Sequence, residues 1–196
     1  MISSILLAAG FSSRMGEPKA TLKWGGQSLV SYQVHELRAA GCDEVIVVLG
    51  HRGDDIYRQM KGLPCRVMLN GIYHAGRAGS LRLGARAVNR DADAIVIMNV
   101  DQPRPADRIQ RLIAAHDTKY AATRASFEGH SGHPVIVSGW LRGELLHAME
   151  ESDGLRGILR GHGSEIQSIE GDALYVLDMN TPEEYGEALK TFGLAV

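Results

Sequence analysis

The segment LAAGFSSRMGEPK, residues 7–19, follows a short apolar run at residues 2–7 that is typical of a buried strand. Small residues at positions 8 to 10 allow backbone N–H groups to approach a ligand closely. Two serines and two cations, Arg14 and Lys19, follow in the same segment and can bind phosphate groups. Open α/β sheets bind ligands beyond the ends of their strands. The segment therefore predicts a phosphate-binding turn after the first strand of an α/β sheet.

Neither of two common phosphate-binding motifs fits this segment. In a Walker A loop, lysine directly follows the second glycine, whereas here Gly10 and Gly16 are separated by five residues and Lys19 lies three beyond. A dinucleotide-binding fingerprint needs G-x-G-x-x-G, but Phe11 and Ser12 follow Gly10. The fingerprint that a dinucleotide-dependent oxidoreductase requires is therefore absent.

Strand and helix patterns alternate along the first 115 residues. The predicted strands cover residues 2–7, 45–49, 66–69 and 94–100, and the predicted helices run from Ser28 to Gly41, over 54–60, from a cap at Ser80, and from Pro105. The alternation predicts an α/β fold: a Rossmann-like, mostly parallel, twisted sheet with helices on both faces. Since no repeat or low-complexity linker interrupts the chain, we expect a single domain over residues 1–196.

The second half of the chain has a more mixed pattern. It predicts strands at 120–125 and 134–137 with a polar loop at 126–133 between them, helices at 140–149 and 155–159, and strands at 166–169 and 174–177. A last helix begins at Thr181, with Pro182 at its first position and Glu184 three residues after the cap.

Composition and charge exclude several classes of protein. With 21 Lys+Arg against 23 Asp+Glu, the net charge of −2 gives no basic field for nucleic acid or an anionic membrane. No apolar run approaches the roughly 18 residues of a transmembrane helix. Two cysteines are too few for a disulfide framework, and we expect reduced thiols and a cytoplasmic location.

The run LAAGFSSRMGEPKATLKW resembles the signature LAAGxSxRMGxxK of the molybdenum cofactor nucleotidyltransferases. Further segments resemble motifs of that family in the same order: GHRG at 50–53, NGIYHAGRAGSL at 70–81, NVDQP at 99–103, GHPV at 132–135, DGLR at 153–156 and DMNTPEE at 178–184. The resemblance covers residues 5–185 and implies a fold like that of the nucleotide-diphospho-sugar transferases. The Ala-Ala-Gly form is similar to the cytidylyltransferase branch, whereas the guanylyltransferase branch more often has Ala-Gly-Gly.

The resemblance implies a nucleotidyltransferase that uses Mg²⁺, with Mn²⁺ as an alternative. It would transfer CMP from CTP to the phosphate of a molybdopterin cofactor and release pyrophosphate. The same chemistry with GTP or with a sugar or alditol phosphate stays open, as does a non-catalytic protein that binds a nucleotide and delivers the cofactor. A molybdoenzyme or its maturation chaperone is a candidate protein partner.

The resemblance also assigns residues to the site. Arg14, Lys19 and Asp101 are the expected catalytic residues. The expected nucleotide-binding residues are Leu7, Ala8, Ala9, Gly10, Ser12, Arg14, Lys19, Asn70, Gly76, Gly79, Ser80 and Asp101. The expected acceptor-binding residues are His133 and Arg156, so that the N-terminal half would bind the nucleotide and the C-terminal half the acceptor.

Asp101 is the expected metal ligand, since carboxylates at strand ends suit Mg²⁺. The second ligand is Asn180 or Asp178. The chain departs from the family pattern at three places: Val100 stands where the family has glycine, Asn180 where the cytidylyltransferases have aspartate, and Arg77 in a loop that is richer in serine in the family.

Overall fold

The structure, a computed structural model, describes residues 1–194. Its strands are β1 (Ile2–Ala8), β2 (Lys23–Trp24), β3 (Gln27–Ser28), β4 (Glu44–Leu49), β5 (Arg66–Leu69), β6 (Ala94–Asn99), β7 (Ala122–Phe127), β8 (His130–Ser131), β9 (Val135–Ser138) and β10 (Ile166–Glu170). Its α-helices are α1 (Leu29–Ala39), α2 (Gly53–Gln59), α3 (Arg77–Ala87), α4 (Ala106–Ala115), α5 (Arg142–Leu145), α6 (Leu155–Gly161) and α7 (Pro182–Thr191). Within the described residues, no helix is long and apolar enough to cross a membrane.

One mostly parallel sheet organises the molecule. Its strand order is β10-β7-β9-β6-β1-β4-β5, with β8 paired to the outer part of β7. Strand β9 runs antiparallel to both of its neighbours, β6 and β7, while β10-β7, β6-β1, β1-β4 and β4-β5 are parallel pairs. The prediction of an α/β fold with a mostly parallel sheet is confirmed.

The order of the strands creates a crevice beside β1. The chain passes from β1 to β4 and β5 on one side and then returns to β6 on the other side. Ligands of open α/β sheets bind at the carboxyl ends of the strands where the order reverses in this way. The segment 9–19 leaves the sheet at this point, and so does Asp101, two residues after β6.

Apolar side chains cover both faces of the sheet. On one face, buried residues of α1, α4 and α7 such as Leu37, Ile109 and Leu189 form a cluster. On the other face, Leu81 of α3 and Leu159 of α6 belong to a second cluster. Helices therefore lie on both faces, as the alternating pattern predicts. The central strands are apolar on both sides because both faces are buried.

Helix ends in two places follow local sequence signals. The Ser28 side chain accepts a hydrogen bond from the Ser31 backbone N–H and caps α1. At α7, Thr181 and Glu184 form the capping box that the sequence predicts, and Pro182 stands in the first turn. Such caps satisfy N–H groups that have no partner within the helix.

The prediction that Ser80 caps a helix is wrong. Helix α3 begins at Arg77, and Gly76 stands at its cap with φ of 110°. The Glu150 carboxylate, which is distant in sequence, accepts a hydrogen bond of 2.7 Å from the Ala78 backbone N–H. The Glu150 carboxylate therefore caps the helix in place of a local side chain. Helix α3 starts three residues before Ser80, and Ser80 lies within the helix.

Three predictions in the second half need correction. The prediction of a polar loop at 126–133 is wrong, because β7 continues to Phe127 and pairs with β8. The two strands are joined by a turn in which residues 128 and 129 have positive φ. The strand at 174–177 is a 3₁₀ helix, Ala173–Val176, because the Asp172 side chain caps the Leu174 N–H. The helix at 140–149 is reduced to the 3₁₀ turn Gly139–Leu141 and the short α5.

The last helix packs against the start of the chain. The Trp24 ring contacts the Phe192 ring edge-to-face, with centroids 4.9 Å apart. The Tyr185 hydroxyl donates a hydrogen bond of 2.6 Å to the Lys23 carbonyl oxygen. Helix α7 thereby fixes the position of the residues that precede it, including Asn180.

Candidate active site

The turn after β1 is held by one serine. Ser12 has a positive φ of 52°, and its hydroxyl accepts a hydrogen bond of 3.0 Å from the Lys19 backbone N–H. Its carbonyl oxygen also accepts a bond of 2.9 Å from the Met15 N–H. The segment therefore folds back on itself and places Lys19 over the crevice.

Gly50 lets this turn pack against its neighbours. A Cβ atom at Gly50 would lie 2.7 Å from the Ala9 carbonyl oxygen and 2.6 Å from the Tyr73 Cβ. Both distances are far shorter than carbon contacts of about 3.5–4.0 Å. The position of the Ala9 backbone thus depends on the absence of a side chain at residue 50.

A small cavity of about 120 Å³ lies between this turn, β6 and the start of α3. Of the predicted nucleotide-binding residues, it is lined by Leu7, Ala8, Ala9, Gly10, Ser12, Lys19, Gly76, Ser80 and Asp101. Three of the predicted set do not line it. Arg14 lies in a neighbouring cavity, and Gly79 lies next to Asn70. The buried Asn70 donates a hydrogen bond of 2.9 Å to the Ser80 hydroxyl and so supports the wall from behind.

Lys19, Asp101 and Asn180 meet at the mouth of this cavity. The Lys19 Nζ donates hydrogen bonds of 2.8 Å to Asp101 Oδ2 and 2.9 Å to Asn180 Oδ1. Only 12% of the Lys19 side chain and 26% of the Asp101 side chain is exposed. The structure thus brings together three predicted residues that are far apart in sequence.

Asp178 stands beside this group. Its carboxylate accepts a hydrogen bond of 2.7 Å from Gln102 Nε2, and the Gln102 Oε1 accepts one of 2.9 Å from Asn99. Removal from water raises the pKa of Asp178, and the charge of Asp101 raises it further, although the bond from Gln102 opposes the shift. The backbone couples the two acids, because the Met179 N–H donates to the Asp101 carbonyl oxygen at 2.9 Å.

The donor atoms here suit a hard divalent cation. They are carboxylate and amide oxygens, and the Lys19 ammonium already occupies a place between two of them. Across residues 1–194, no group of three or more His, Cys, Asp or Glu side chains forms a metal-binding cluster. Mg²⁺ is commonly bound by one or two carboxylates together with substrate phosphates, and a site with so few protein ligands fits that habit.

A second, larger cavity of about 810 Å³ adjoins the first. Leu7, Arg77, Asn99 and Asp101 line both cavities, so the two meet at Asp101, whose partner Lys19 lines the smaller one. The predicted acceptor-binding residues His133 and Arg156 both line the larger cavity, as does Arg14. Two adjoining cavities with charged groups at their junction can hold two substrates in contact.

His133 is held neutral in the wall of the larger cavity. Burial lowers its pKa to about 4, and the nearby positive charges of Arg104, Arg124 and Arg156 lower it further, against the opposing charge of Asp101. The ring is therefore uncharged at neutral pH and can donate or accept a hydrogen bond without adding charge.

Arg104 is a fully buried arginine that the sequence did not single out. It donates hydrogen bonds to the carbonyl oxygens of Pro103, His133, Tyr175 and Leu177, at 2.7–2.9 Å. Burial lowers its pKa to about 10, so it stays charged at neutral pH. Arg104 ties together the segments that carry Asp101, His133 and Asp178.

Three site residues, Arg104, Arg124 and Glu150, therefore escaped the sequence patterns. Arg104 directly follows the NVDQP motif but has no local signal of its own, whereas Gln102 lies within that motif. Arg124 lies within a strand, and Glu150 acts at the start of a helix from which it is separated by 72 residues. Their roles depend on packing between distant segments, which local patterns do not encode.

The family model described as a MobA-like NTP transferase domain matches residues 4–166. The chain belongs to this family. The match covers the turn after β1, the Asp101 loop and the strands between them, so the resemblance inferred from the motifs is confirmed. The protein is a nucleotidyltransferase with the fold of this family.

Similar proteins in the family carry different names. The chain is 28% identical over 167 residues to nicotine blue oxidoreductase of Paenarthrobacter nicotinovorans, covering 81% of each chain. It is 25% identical over 187 residues to molybdenum cofactor cytidylyltransferase of Escherichia coli (strain K12), covering 94% of this chain and 93% of that one. Among solved structures, Rv0371C of Mycobacterium tuberculosis H37Rv in complex with manganese superposes with a TM-score of 0.78 at 25% identity, covering 97% and 98%.

Proposed function

We propose that this MobA-like transferase transfers CMP from CTP to the phosphate of a molybdopterin-type cofactor and releases pyrophosphate. The observation that carries the proposal is the junction of two cavities at Lys19 and Asp101. One cavity is small and lined by the glycine turn, and the other is large and lined by arginines. This is the arrangement that a reaction between two phosphate-bearing substrates requires.

The nucleotide would bind in the smaller cavity, formed by the N-terminal half of the chain. Backbone N–H groups at residues 8–10 can hydrogen-bond the base, and the Ala9 position favours cytosine through the family resemblance. Lys19 and Arg14 supply positive charge to the triphosphate. Because little covalent work is needed from the protein, the main contribution of these residues is to align the phosphates and to offset their charge.

Asp101 and Asn180 are the residues that would hold Mg²⁺, with Asp178 in reach of the same space. Mg²⁺ would neutralise charge on the phosphates during transfer. The bond from Met179 fixes the Asp101 backbone, and the Lys19 ammonium holds its side chain at 2.8 Å. Mn²⁺ is the natural alternative, since a related structure contains that metal.

The acceptor would bind in the larger cavity, formed mostly by the C-terminal half. His133 and Arg156 line its wall, and His133 is neutral. A neutral imidazole can bond to a phosphate or a heterocycle without changing the charge of the site. A molybdoenzyme or its maturation chaperone would then receive the product in the cytoplasm.

Pyrophosphate release tests the proposal. The purified protein is incubated with each of the four nucleoside triphosphates, Mg²⁺ and one acceptor at a time: molybdopterin cofactor, a sugar phosphate or an alditol phosphate. The proposal expects release with CTP and the molybdopterin cofactor above all other pairs. Faster pyrophosphate release with GTP or with an alditol phosphate would show that the substrates differ from those proposed, while nucleotidyl transfer would remain the reaction.

A delivery protein without catalysis is the second candidate, favoured by the fit of nucleotide-binding residues around a small cavity. It predicts tight nucleotide binding with no pyrophosphate release from any acceptor. The Lys19–Asp101–Asn180 group argues against it, since binding alone does not need these three residues at one point. Because one relative is named an oxidoreductase, the same experiment also measures NAD(P)H consumption. If no NAD(P)H is consumed, hydride transfer is excluded.

A further inference from the structure

The larger cavity holds arginines that have no acidic partner. Its charged lining includes Arg14, Arg77, Arg124, Arg156 and Arg160. Arg160 pairs with Asp153 at 2.9 Å, but within residues 1–194 the other four make no salt bridge. The cavity is therefore more positive than the near-zero net charge of the chain suggests.

The acidic residues of the same cavity are already engaged. Asp101 pairs with Lys19, Asp153 with Arg160, and Glu150 accepts a bond from the Ala78 N–H. The Asp178 carboxylate is bonded by Gln102 at 2.7 Å. Within residues 1–194, none of these four carboxylates lies within salt-bridge distance of Arg14, Arg77, Arg124 or Arg156.

Among these arginines, Arg124 has a buried donor without a hydrogen-bond partner in the described part of the chain. It is half-buried on β7, and its Nε is shielded from solvent and has no hydrogen-bond partner among the described residues. Leaving such a donor unpaired costs about 1–3 kcal/mol, more for a charged group. Its charge also acts on His133, which lies in the same wall. An unpaired arginine donor that lowers stability and lines a cavity indicates a binding site, because a bound anion would supply the missing hydrogen-bond partner.

The sheet register places Arg124 away from the transfer centre. Strand β9 pairs Ile136 with both Val96 of β6 and Thr123 of β7, so Arg124 is level with Ile97, and both line the larger cavity. Asp101 lies four residues beyond Ile97 and two strand spacings to the side. Residues 100 and 101 form a turn beyond the strand, so the extended rise applies only as far as Asn99. At about 3.3 Å per residue and 4.8 Å per strand, the end of β6 at Asn99 lies about 12 Å from Arg124.

We propose that Arg124, together with Arg156 of the same cavity, binds a second anionic group of the acceptor, distinct from the phosphate that receives the nucleotide. The group is an oxyanion such as a phosphate or carboxylate, because the arginine fork binds these in a bidentate manner. His133 lines the same cavity and is uncharged at neutral pH, so it adds no positive charge next to the two arginines. Arg124 thus selects acceptors that are anionic at both ends. This inference rests on the proposed function in one respect: the anion is taken to be part of the acceptor substrate.

The Nε–Hε signals of the arginines test binding directly. ¹H–¹⁵N spectra are recorded while inorganic phosphate is added to the free protein, with chloride at equal ionic strength as the salt control. The Arg124 signal, assigned by its loss in Arg124→Met, should move along a saturable curve. The Arg160 signal, from the same cavity but paired with Asp153, should move little. An Arg124 signal that stays fixed, or that moves no more than Arg160, overturns the proposal.

Variants then separate ligand binding from a structural role. Arg124→Met should raise the acceptor KM at least tenfold, leave nucleotide affinity unchanged, and leave Tm equal or higher because it removes an unpaired buried donor. The matched Arg160→Met should change acceptor KM by less than twofold. A lower Tm with unchanged KM contradicts the proposal. If no acceptor supports transfer, the proposed function fails, while the phosphate titration still decides whether Arg124 binds an anion.

Discussion

Replacement of Lys19 by methionine should tighten metal binding in the absence of nucleotide while it slows turnover. The Lys19 ammonium lies 2.8 Å from Asp101 Oδ2 and 2.9 Å from Asn180 Oδ1, in the space that a divalent cation would occupy. A metal that enters without nucleotide must displace it. Methionine keeps the length and apolar stem of the side chain and removes the charge.

The size of the effect follows from the geometry. Since Lys19 is only 12% exposed and Asp101 26%, the ion pair is poorly screened by water. A hydrogen bond between charged groups contributes about 1.5–3 kcal/mol net. Removing that competition should increase metal affinity about 10- to 100-fold, because each 1.4 kcal/mol is about tenfold. Turnover should fall about 10²-fold or more, the usual cost of one donor lost from the transition state.

Mn²⁺ provides the assay, since its free concentration is measured by electron paramagnetic resonance without nucleotide or turnover. Wild type, Lys19→Met and the exposed control Lys61→Met are titrated in parallel. The control should match wild type in both metal affinity and pyrophosphate release. Mn²⁺ affinity of Lys19→Met that equals or falls below wild type would refute the idea that the ammonium and the metal compete.

Four further outcomes follow from the contacts. Asp101→Asn should lower metal-dependent pyrophosphate release at least 10²-fold, and an unchanged metal titration would contradict its role. Gly50→Ala should lower the free energy of unfolding by about 1–3 kcal/mol, measured in urea, because a Cβ there would meet backbone at 2.7 Å. Arg104→Met should cost about 2–4 kcal/mol by leaving four carbonyl oxygens without their donor, and an unchanged midpoint would refute this. His133 has a folded pKa of about 4, below its ordinary 6.5, so its share of stability is full above pH 6.5 and is lost as the pH falls towards 4. Wild type should therefore lose up to about 3 kcal/mol more than His133→Gln over that interval.

The parts of the fold that the sequence predicted are those with strong local signals. β4 and β6 are nearly continuous apolar runs because both of their faces are buried, and β1 is apolar apart from the buried Ser3 and Ser4. Such runs are recognisable without tertiary information. The capping box at Thr181 works in the same way, since cap and helix are neighbours in sequence. The mostly parallel sheet with helices on both faces follows from the alternation of strands and helices and from the crossover rule.

The predictions that failed concern segments whose partners are distant. Ser80 has the chemistry of a cap, but Glu150 reaches the start of α3 from 72 residues away and moves that start to Arg77. The segment 174–177 is apolar like a strand, yet it is shaped by Asp172 and by its bonds to Arg104. Local patterns record neither contact.

The candidate site shows the same division. Lys19 and Asp101 belong to motifs with a chemical logic of their own, and the structure places them 2.8 Å apart. Arg124 belongs to no motif. The role proposed for Arg124 is inferred from its unpaired Nε and from the register of three strands. Both are properties of the folded chain.

The docking of the last helix on the first residues has a consequence for how the protein is made. Helix α7, which follows Asn180, packs against Trp24 and Lys23, so this corner of the site is assembled from segments 161 residues apart in the sequence. During synthesis, the glycine turn and Asp101 leave the ribosome long before their third partner exists. A chain cut before residue 180 would carry the nucleotide turn yet leave the ammonium of Lys19 with one oxygen instead of two. Synthesis and docking of the segment 180–192 therefore finish this corner of the site.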